Sequence, residues 1–253
     1  MAVNIGIISG EGGVGKTTTS INLGMALNHF GYDVTVVDAN LSTPNVGVYL
    51  GVSKVPVHLH HALLGKKNIQ EAVYSHHSGT KIVPASISIS HIGNYGVDSL
   101  RKALVDLDKV TDVVLIDGAA GLGNETMATV NASDKIIVVT NPELPAITDA
   151  LKTIKLCDKL RKEVIGVVVS RYGRKQDVSI ENIKAMLEVP IIGIIPRDVA
   201  IKDALRMNDS VVITHPMSDS SIGFKKLAAN LLGVEYEPSY EQPVSFWKRI
   251  FKK

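Results

Sequence analysis

The sequence predicts an α/β protein built on a mostly parallel, twisted sheet with helices on both faces. Two observations carry that expectation. Short runs rich in Val and Ile, each bounded by turn residues, recur along the chain, and longer stretches with helical spacing separate them. The runs are apolar throughout rather than alternating, which suits strands buried on both faces. With 253 residues, 45% hydrophobic and 21% charged, the chain is large enough for one α/β domain with a well-buried core.

The first element is Val3 to Ser9 (VNIGIIS), a short, mostly apolar strand. Residues Gly10 to Thr17 then match G-x-x-x-x-G-K-[ST] at every fixed position. Glycines let such a loop turn tightly and aim several N–H groups inward at anionic oxygens. Gly10, Glu11, Gly12, Gly13, Val14, Gly15, Lys16, Thr17 and Thr18 form the expected phosphate loop. Lys16 reaches the β- and γ-phosphates in that scheme, and the Thr17 hydroxyl faces Mg²⁺. Thr18 to Phe30 reads as the following helix, and a helix N-terminus after a Gly-rich turn is an anion site. The fold class is therefore narrowed to a P-loop NTPase.

Further strands are expected at Asp33 to Asp38, Lys81 to Pro84, Asp112 to Asp117, Lys135 to Thr140, Val164 to Ser170 and Pro190 to Ile195. The strongest helical spacing covers Leu144 to Arg161, Ser179 to Leu187 and Ser220 to Leu232. The nucleotide domain is expected to span residues 1–232. Residues 233–243 (GVEYEPSYEQP) are polar with two prolines and read as a linker. Residues 244–253 form a separate segment.

Composition narrows the function classes. The formal net charge of +2 and the 5% aromatic content disfavour a nucleic-acid binder with base-stacking platforms. The lone Cys157 cannot form an internal disulfide, which fits a reduced, cytoplasmic setting. The chain opens directly into the phosphate-loop strand, so no signal peptide is expected.

Ligands of parallel sheets sit at the C-terminal ends of strands. Besides the phosphate loop, two strand ends carry candidates: Asp38-Ala39-Asn40, and Asp117 followed by the flexible run Gly118-Ala119-Ala120-Gly121. Asp117 is placed to hold Mg²⁺ through its water shell, as a Walker-B aspartate does.

GEGGVGKTTT, VVDANLSTPN, LIDGAAGLG and VVTNPE, in that order, resemble the motifs of the MinD/ParA family of deviant Walker ATPases, and the resemblance covers nearly the whole chain. It implies ATP and Mg²⁺ as cofactors and an ATP-dependent homodimer. It also implies reversible attachment to the cytoplasmic face of a membrane through the C-terminus, release on hydrolysis, and a regulatory or cargo protein as partner. It further implies catalytic roles for Lys16, Asp38 and Asn40, and Mg²⁺ contacts, partly through water, at Thr17, Asp38 and Asp117. Ser170 and Arg171, with Pro196, Arg197 and Asp198, fall where the family cradles adenine, although asparagine is more usual at the Ser170 position.

Two positions depart from the family pattern. Glu11 stands where the family carries a lysine that crosses the dimer interface to the partner's nucleotide. Unit charges 4 Å apart interact by about 4 kcal/mol at an effective dielectric near 20, so a carboxylate facing triphosphate is costly unless it turns to solvent or finds a cation. Asn40 replaces an aspartate that orients the attacking water. Its amide oxygen can hold that water but cannot take a proton, and losing a water-positioning group costs on the order of 10²–10⁴-fold in rate. The combination predicts tight Mg-ATP binding with slow or partner-dependent hydrolysis, and leaves a hydrolysis-deficient ATP-binding membrane scaffold as the alternative. A ParA-like DNA-segregation ATPase is a further alternative, disfavoured by the near-neutral charge.

After Pro243, a helical wheel puts Val244, Phe246, Trp247, Ile250 and Phe251 on one half and Ser245, Lys248, Arg249, Lys252 and Lys253 on the other. Aromatics opposite cations suit an anionic membrane surface. Each cation contributes about 1 kcal/mol there, so one tail is a weak anchor and two tails on a dimer bind far more tightly. His58, His61, His76 and His77 lack neighbouring Cys or carboxylate ligands with metal spacing and read as an amphipathic helix plus loop. Lys66-Lys67 and Lys225-Lys226 read as solvated faces.

Overall fold

The computed structural model describes residues 2–88, 95–175 and 177–238. The cationic and aromatic tail, 244–253, lies outside the described residues, as does the second half of the expected linker. In chain order the elements are β1 (Val3–Ser9), α1 (Lys16–His29), β2 (Val34–Asp38), α2 (Val46–Tyr49), α3 (Leu59–Leu63), β3 (Tyr74–Ser75), β4 (Lys81–Val83) and α4 (Val97–Leu104). There follow β5 (Val113–Ala120), α5 (Asn124–Ala132), β6 (Lys135–Thr140), α6 (Leu144–Lys159), β7 (Glu163–Tyr172), α7 (Ile180–Leu187), β8 (Ile191–Pro196), α8 (Ala200–Arg206), α9 (Val211–Thr214) and α10 (Asp219–Leu232).

The strands form one sheet in the order β3-β4-β2-β5-β1-β6-β7-β8, parallel except for β3, which pairs antiparallel with β4. Period-two alternation sorts the apolar residues between its faces. Ile5 and Ile7 of β1, Leu115 of β5, Ile137 and Val139 of β6 and Val168 of β7 join one core with α1, α9 and α10. On the opposite face, Val114 and Ile116 of β5 pack with Leu59 of α3 and Leu100 and Leu104 of α4. There too, Ile8, Ile136, Val138, Val167 and Val169 pack under α5, α6 and α7. Each fully buried Ile or Val contributes about 1.5–3 kcal/mol, which accounts for the Val and Ile that both faces of the strands carry. The parallel sheet with helices on both faces is as the strand runs predict.

Three expectations need correction. Gly118 to Gly121 is not a flexible run from its start, because β5 continues through Ala120 and pairs Ala120 with Ser9. His58 is the N-cap of α3 rather than a member of its face, since the helix begins at Leu59. Lys225 is not solvated: it is buried in α10 and its ammonium donates to the Pro216 carbonyl at 3.1 Å. The described part of the linker has no regular element, and Tyr236 packs edge-on against Phe30 at 5.8 Å.

The central position of β1, between β5 and β6, matters most for function. The connection from β1 runs to one side of the sheet while β6 lies on the other, and the crevice at such a switch point is where ligands bind.

Candidate nucleotide site

The phosphate loop leaves β1 under tight steric control. A Cβ on Gly10 would come within 2.4 Å of the Asp149 carbonyl oxygen of α6, so only glycine lets the loop pass beneath that helix. Gly15 has φ of 101°, in the left-handed region, and turns the chain directly into α1. The first turn of α1 has no acidic residue, leaving the positive end of the helix dipole free for an anion. The loop is tied to the sheet by Ser170 of β7, whose hydroxyl donates to the Val14 carbonyl.

A cavity of about 780 Å³ opens above this turn. Gly12, Gly13, Gly15, Lys16, Thr17 and Thr18 line its floor, with Asn40 and Arg171 on its walls. Gly10, Glu11 and Val14 do not line it: Val14 is buried in the core, and Glu11 turns its backbone carbonyl to the Ser9 hydroxyl at 2.8 Å. Among the described residues Glu11 makes no ion pair within 4.0 Å. Glu11 is therefore not among the residues lining the phosphate floor in the single chain.

Asp117, at the end of β5, is fully buried and accepts from the Thr17 hydroxyl at 2.7 Å and the Ser20 hydroxyl at 2.8 Å. Burial pushes its carboxyl above the ordinary range, while Lys16 and the two hydroxyls pull it down. The fit to Mg²⁺ is direct: Thr17 gives its proton to Asp117, leaving its oxygen lone pairs for a cation. Asp117, fully buried behind it, would act through Thr17 or a water.

Asp38 is placed differently. It too is fully buried, but Oδ2 accepts from the backbone N–H groups of Asn45 and Val46, both at 2.9 Å, and Oδ1 from that of Asn40 at 3.3 Å. It does not line the cavity. Burial, then the Asp117 charge, drives its carboxyl well above the usual range. Its carboxylate organises the loop that carries Asn40. Asn40 itself does line the cavity, with its amide oxygen accepting from the Thr43 hydroxyl at 3.0 Å.

An adjoining cavity of about 400 Å³ is lined by Ser170, Arg171, Pro196, Arg197 and Asp198, together with Gly15 and Thr18. The five residues expected around adenine therefore meet beside the phosphate loop. Arg171 faces both cavities from a residue with φ of 56°, where the pairing of β7 and β8 skips register. Asp198 is already engaged by Ser220 (N at 3.0 Å, Oγ at 2.7 Å) and by the Ala200 N–H at 2.9 Å. Burial pushes its carboxyl up, but the Ser220 and Ala200 hydrogen bonds outweigh it and leave it below the ordinary range.

The CobQ/CobB/MinD/ParA nucleotide binding domain matches residues 5–211. The chain belongs to this family. This MinD/ParA-family protein is 36% identical to an ATP-binding protein of Methanocaldococcus jannaschii over 94% of its own length and 90% of the relative's. The cell division ATPase MinD of Pyrococcus furiosus superposes with a TM-score of 0.88 at 32% identity, covering 92% of this chain and 99% of that one. The septum site-determining protein MinD of Pyrococcus horikoshii, solved as a complex with Mg-ADP, gives a TM-score of 0.86 at 31% identity over 91% and 96% of the two chains.

Several lining residues were not singled out by the sequence as site residues. Ser42, Thr43, Tyr49 and Glu125 all border the larger cavity, and the Ser42 hydroxyl donates to Glu125 across a separation of 83 residues. Ser20, the second donor to Asp117, reads in the sequence only as one more polar residue of a helix.

Proposed function

We propose that this MinD/ParA-family protein is an ATPase that takes up Mg-ATP and dimerises on it. The dimer attaches reversibly to the cytoplasmic face of a membrane to position partner proteins. The observation that carries the reading is the Thr17–Asp117 pair at the start of α1, which leaves a hydroxyl lone pair for a cation beside Lys16 and the phosphate floor. The Mg-ADP complex of the Pyrococcus horikoshii relative supports the same ligand here. Bound Mg²⁺ would neutralise phosphate charge. The chain's own parts in the reaction are Lys16 at the phosphates, Asp117 fixing Thr17, and Asp38 holding the loop that bears Asn40. Ser170, Arg171, Pro196, Arg197 and Asp198 surround the base, with Asp198 acting through its backbone neighbours.

Hydrolysis is slow in this reading, because the Asn40 amide oxygen is shared with Thr43 and carries no charge. That observation favours a second reading, a hydrolysis-deficient ATP-binding scaffold at the membrane. Among the described residues no helix is long and apolar enough to cross a membrane. Attachment is assigned to Val244, Phe246, Trp247, Ile250 and Phe251 with Lys248, Arg249, Lys252 and Lys253.

The test is Mg-dependent phosphate release from ATP, with anionic vesicles present, for this protein beside Asn40→Asp. Near-inertness of the parent with turnover in the aspartate variant selects the scaffold. Comparable turnover in both selects the cycling ATPase, and no nucleotide binding by either defeats both. A vesicle and DNA pull-down at two salt concentrations, with and without residues 244–253, separates membrane attachment from a DNA-segregation role.

A further inference from the structure

The turn between β3 and β4 brings His76 and His77 against Asp209, which lies in the connection from α8 to α9. One ligand atom from each residue lies within 4.8 Å of the others. His77 Nε2 is 2.8 Å from Asp209 Oδ2, and His76 Nε2 is 3.4 Å from Asp209 Oδ1. Metal–ligand bonds of about 2.0–2.1 Å in tetrahedral geometry separate ligand atoms by about 3.3 Å. The two imidazoles stand 2.8 and 3.4 Å from different oxygens of one carboxylate, distances that bracket that spacing.

We propose that His76, His77 and Asp209 form a site for a transition-metal dication of the Zn²⁺ or Co²⁺ kind, separate from the Mg²⁺ position at the phosphate loop. Two imidazoles and one carboxylate select such ions over Mg²⁺, which prefers an all-oxygen shell. Two ligands are sheltered and one is open: the side chains of His76 and Asp209 are 9% and 13% exposed, that of His77 64%. The exposed side gives the ion a way in and leaves a fourth position for water.

The surroundings suit ligation. His76 Nδ1 accepts the Ser78 N–H at 3.2 Å and lies 2.9 Å from the Ser78 hydroxyl, which fixes the ring in its turn with Nε2 toward Asp209; a bound dication would displace the Nε2 proton. Both legs are anchored before any ion arrives. His76 closes its turn through Thr80 and Gly79, and Ser210, the residue after Asp209, donates its hydroxyl proton to Asn22 of α1 at 2.7 Å. The same Asn22 oxygen accepts the Val211 N–H at 2.9 Å. An ion here would staple the 76–79 turn to the α8–α9 connection beside α1, the helix that starts at the phosphate loop. Leu205 of α8 lines both nucleotide cavities, so the staple would also steady one of their walls.

The experiment uses the full chain, freed of metal by a chelator and loaded with Mg-ADP so that the phosphate site is filled. Zn²⁺ alone is titrated by calorimetry, and Co²⁺ is followed by its visible absorption. One Zn²⁺ per chain is expected, with affinity falling at least about tenfold in His77→Gln and in Asp209→Asn, and unchanged in His29→Gln. Zn²⁺ should raise the melting temperature of the parent and leave that of His77→Gln unmoved. His77 is exposed, so its variant carries the test even where Asp209→Asn folds poorly. Failure of the parent to bind Zn²⁺ stoichiometrically, or binding that His77→Gln leaves intact, would overturn the proposal and reduce the cluster to an ion pair.

Discussion

Asp38 and Asp117 sit opposite one another on adjacent parallel strands, and neither has any exposed surface. Two carboxylates at one buried spot repel, and burial penalises both charges. Lys16 answers Asp117, and the Mg²⁺ expected beside Thr17 would add to it, while Asp38 has only backbone N–H donors. The pair therefore links stability to function, because the site is strained electrostatically until its ligand arrives.

The consequence for stability has a definite sign. Both carboxyls are held above their ordinary range, by burial first. Between the ordinary and the raised values the folded chain binds more protons than the unfolded one, so this pair contributes stability at low pH that is lost as pH rises through that window. Asp117→Asn should flatten that slope. Its Thr17 and Ser20 partners are hydroxyls that can reverse donor and acceptor roles, so the variant keeps its hydrogen bonds. Measured without Mg²⁺ near about pH 8, it should be more stable than the parent by about 1 kcal/mol, or about 2–4 °C in Tm. Mg-dependent nucleotide binding should be lost. A lower Tm in Asp117→Asn would show that the pair is not repulsive in the free protein.

Gly10 and Gly12 share a motif but not a reason. A Cβ on Gly10 meets the backbone of Asp149 at 2.4 Å, whereas one on Gly12 meets nothing within 4 Å. Gly10→Ala should cost about 1–3 kcal/mol in denaturant unfolding and weaken Mg-ADP binding through the displaced loop. Gly12→Ala should leave stability within about 0.5 kcal/mol of the parent. Equal costs for the two would contradict the packing described between the loop and α6.

The strands were legible in the sequence because their interiors are runs of Val and Ile bounded by polar or turn residues. Val3–Ser9 and Lys135–Thr140 have the expected bounds. The phosphate floor was legible because its chemistry is local, one loop and one helix end. What stayed hidden depends on distant residues. Glu125 lies in α5, an element with weak amphipathic spacing, and reaches the cavity only because β5 sets it beside β2. The surroundings of Asp38 were hidden for a related reason: the sequence places it at a strand end, but only the fold shows that Oδ2 accepts from the N–H groups of Asn45 and Val46. Asp209 is 132 residues from His77, beyond any spacing rule for metal ligands.

Cys157 gives a probe of global unfolding. It is fully buried in α6, and burial pushes its thiol up to about 11. The thiolate is the reactive form, so native Cys157 should resist a thiol reagent at neutral pH and react at the rate of unfolding. Labelling should accelerate in urea in step with loss of circular dichroism. Rapid labelling of the folded chain would mean that α6 opens locally, and α6 is the helix against which Gly10 packs.

Glu125 decides how well the larger cavity suits a polyanion. It is the one carboxylate among the described residues lining that cavity, against the cations Lys16 and Arg171. Its partner Ser42 holds it at the wall through the Ser42 hydroxyl. A unit charge about 10 Å from phosphate at an effective dielectric near 20 opposes binding by about 1–2 kcal/mol before screening. Glu125→Gln keeps an acceptor for Ser42 while removing the charge, so Mg-ADP should bind about fivefold more tightly at low salt, with the gain shrinking as salt rises. Arg171→Ala should change affinity in the opposite direction with the same salt trend. Should Glu125→Gln instead weaken binding at every salt concentration, the carboxylate is a positive contributor to the site, through a cation or a water bound with the nucleotide.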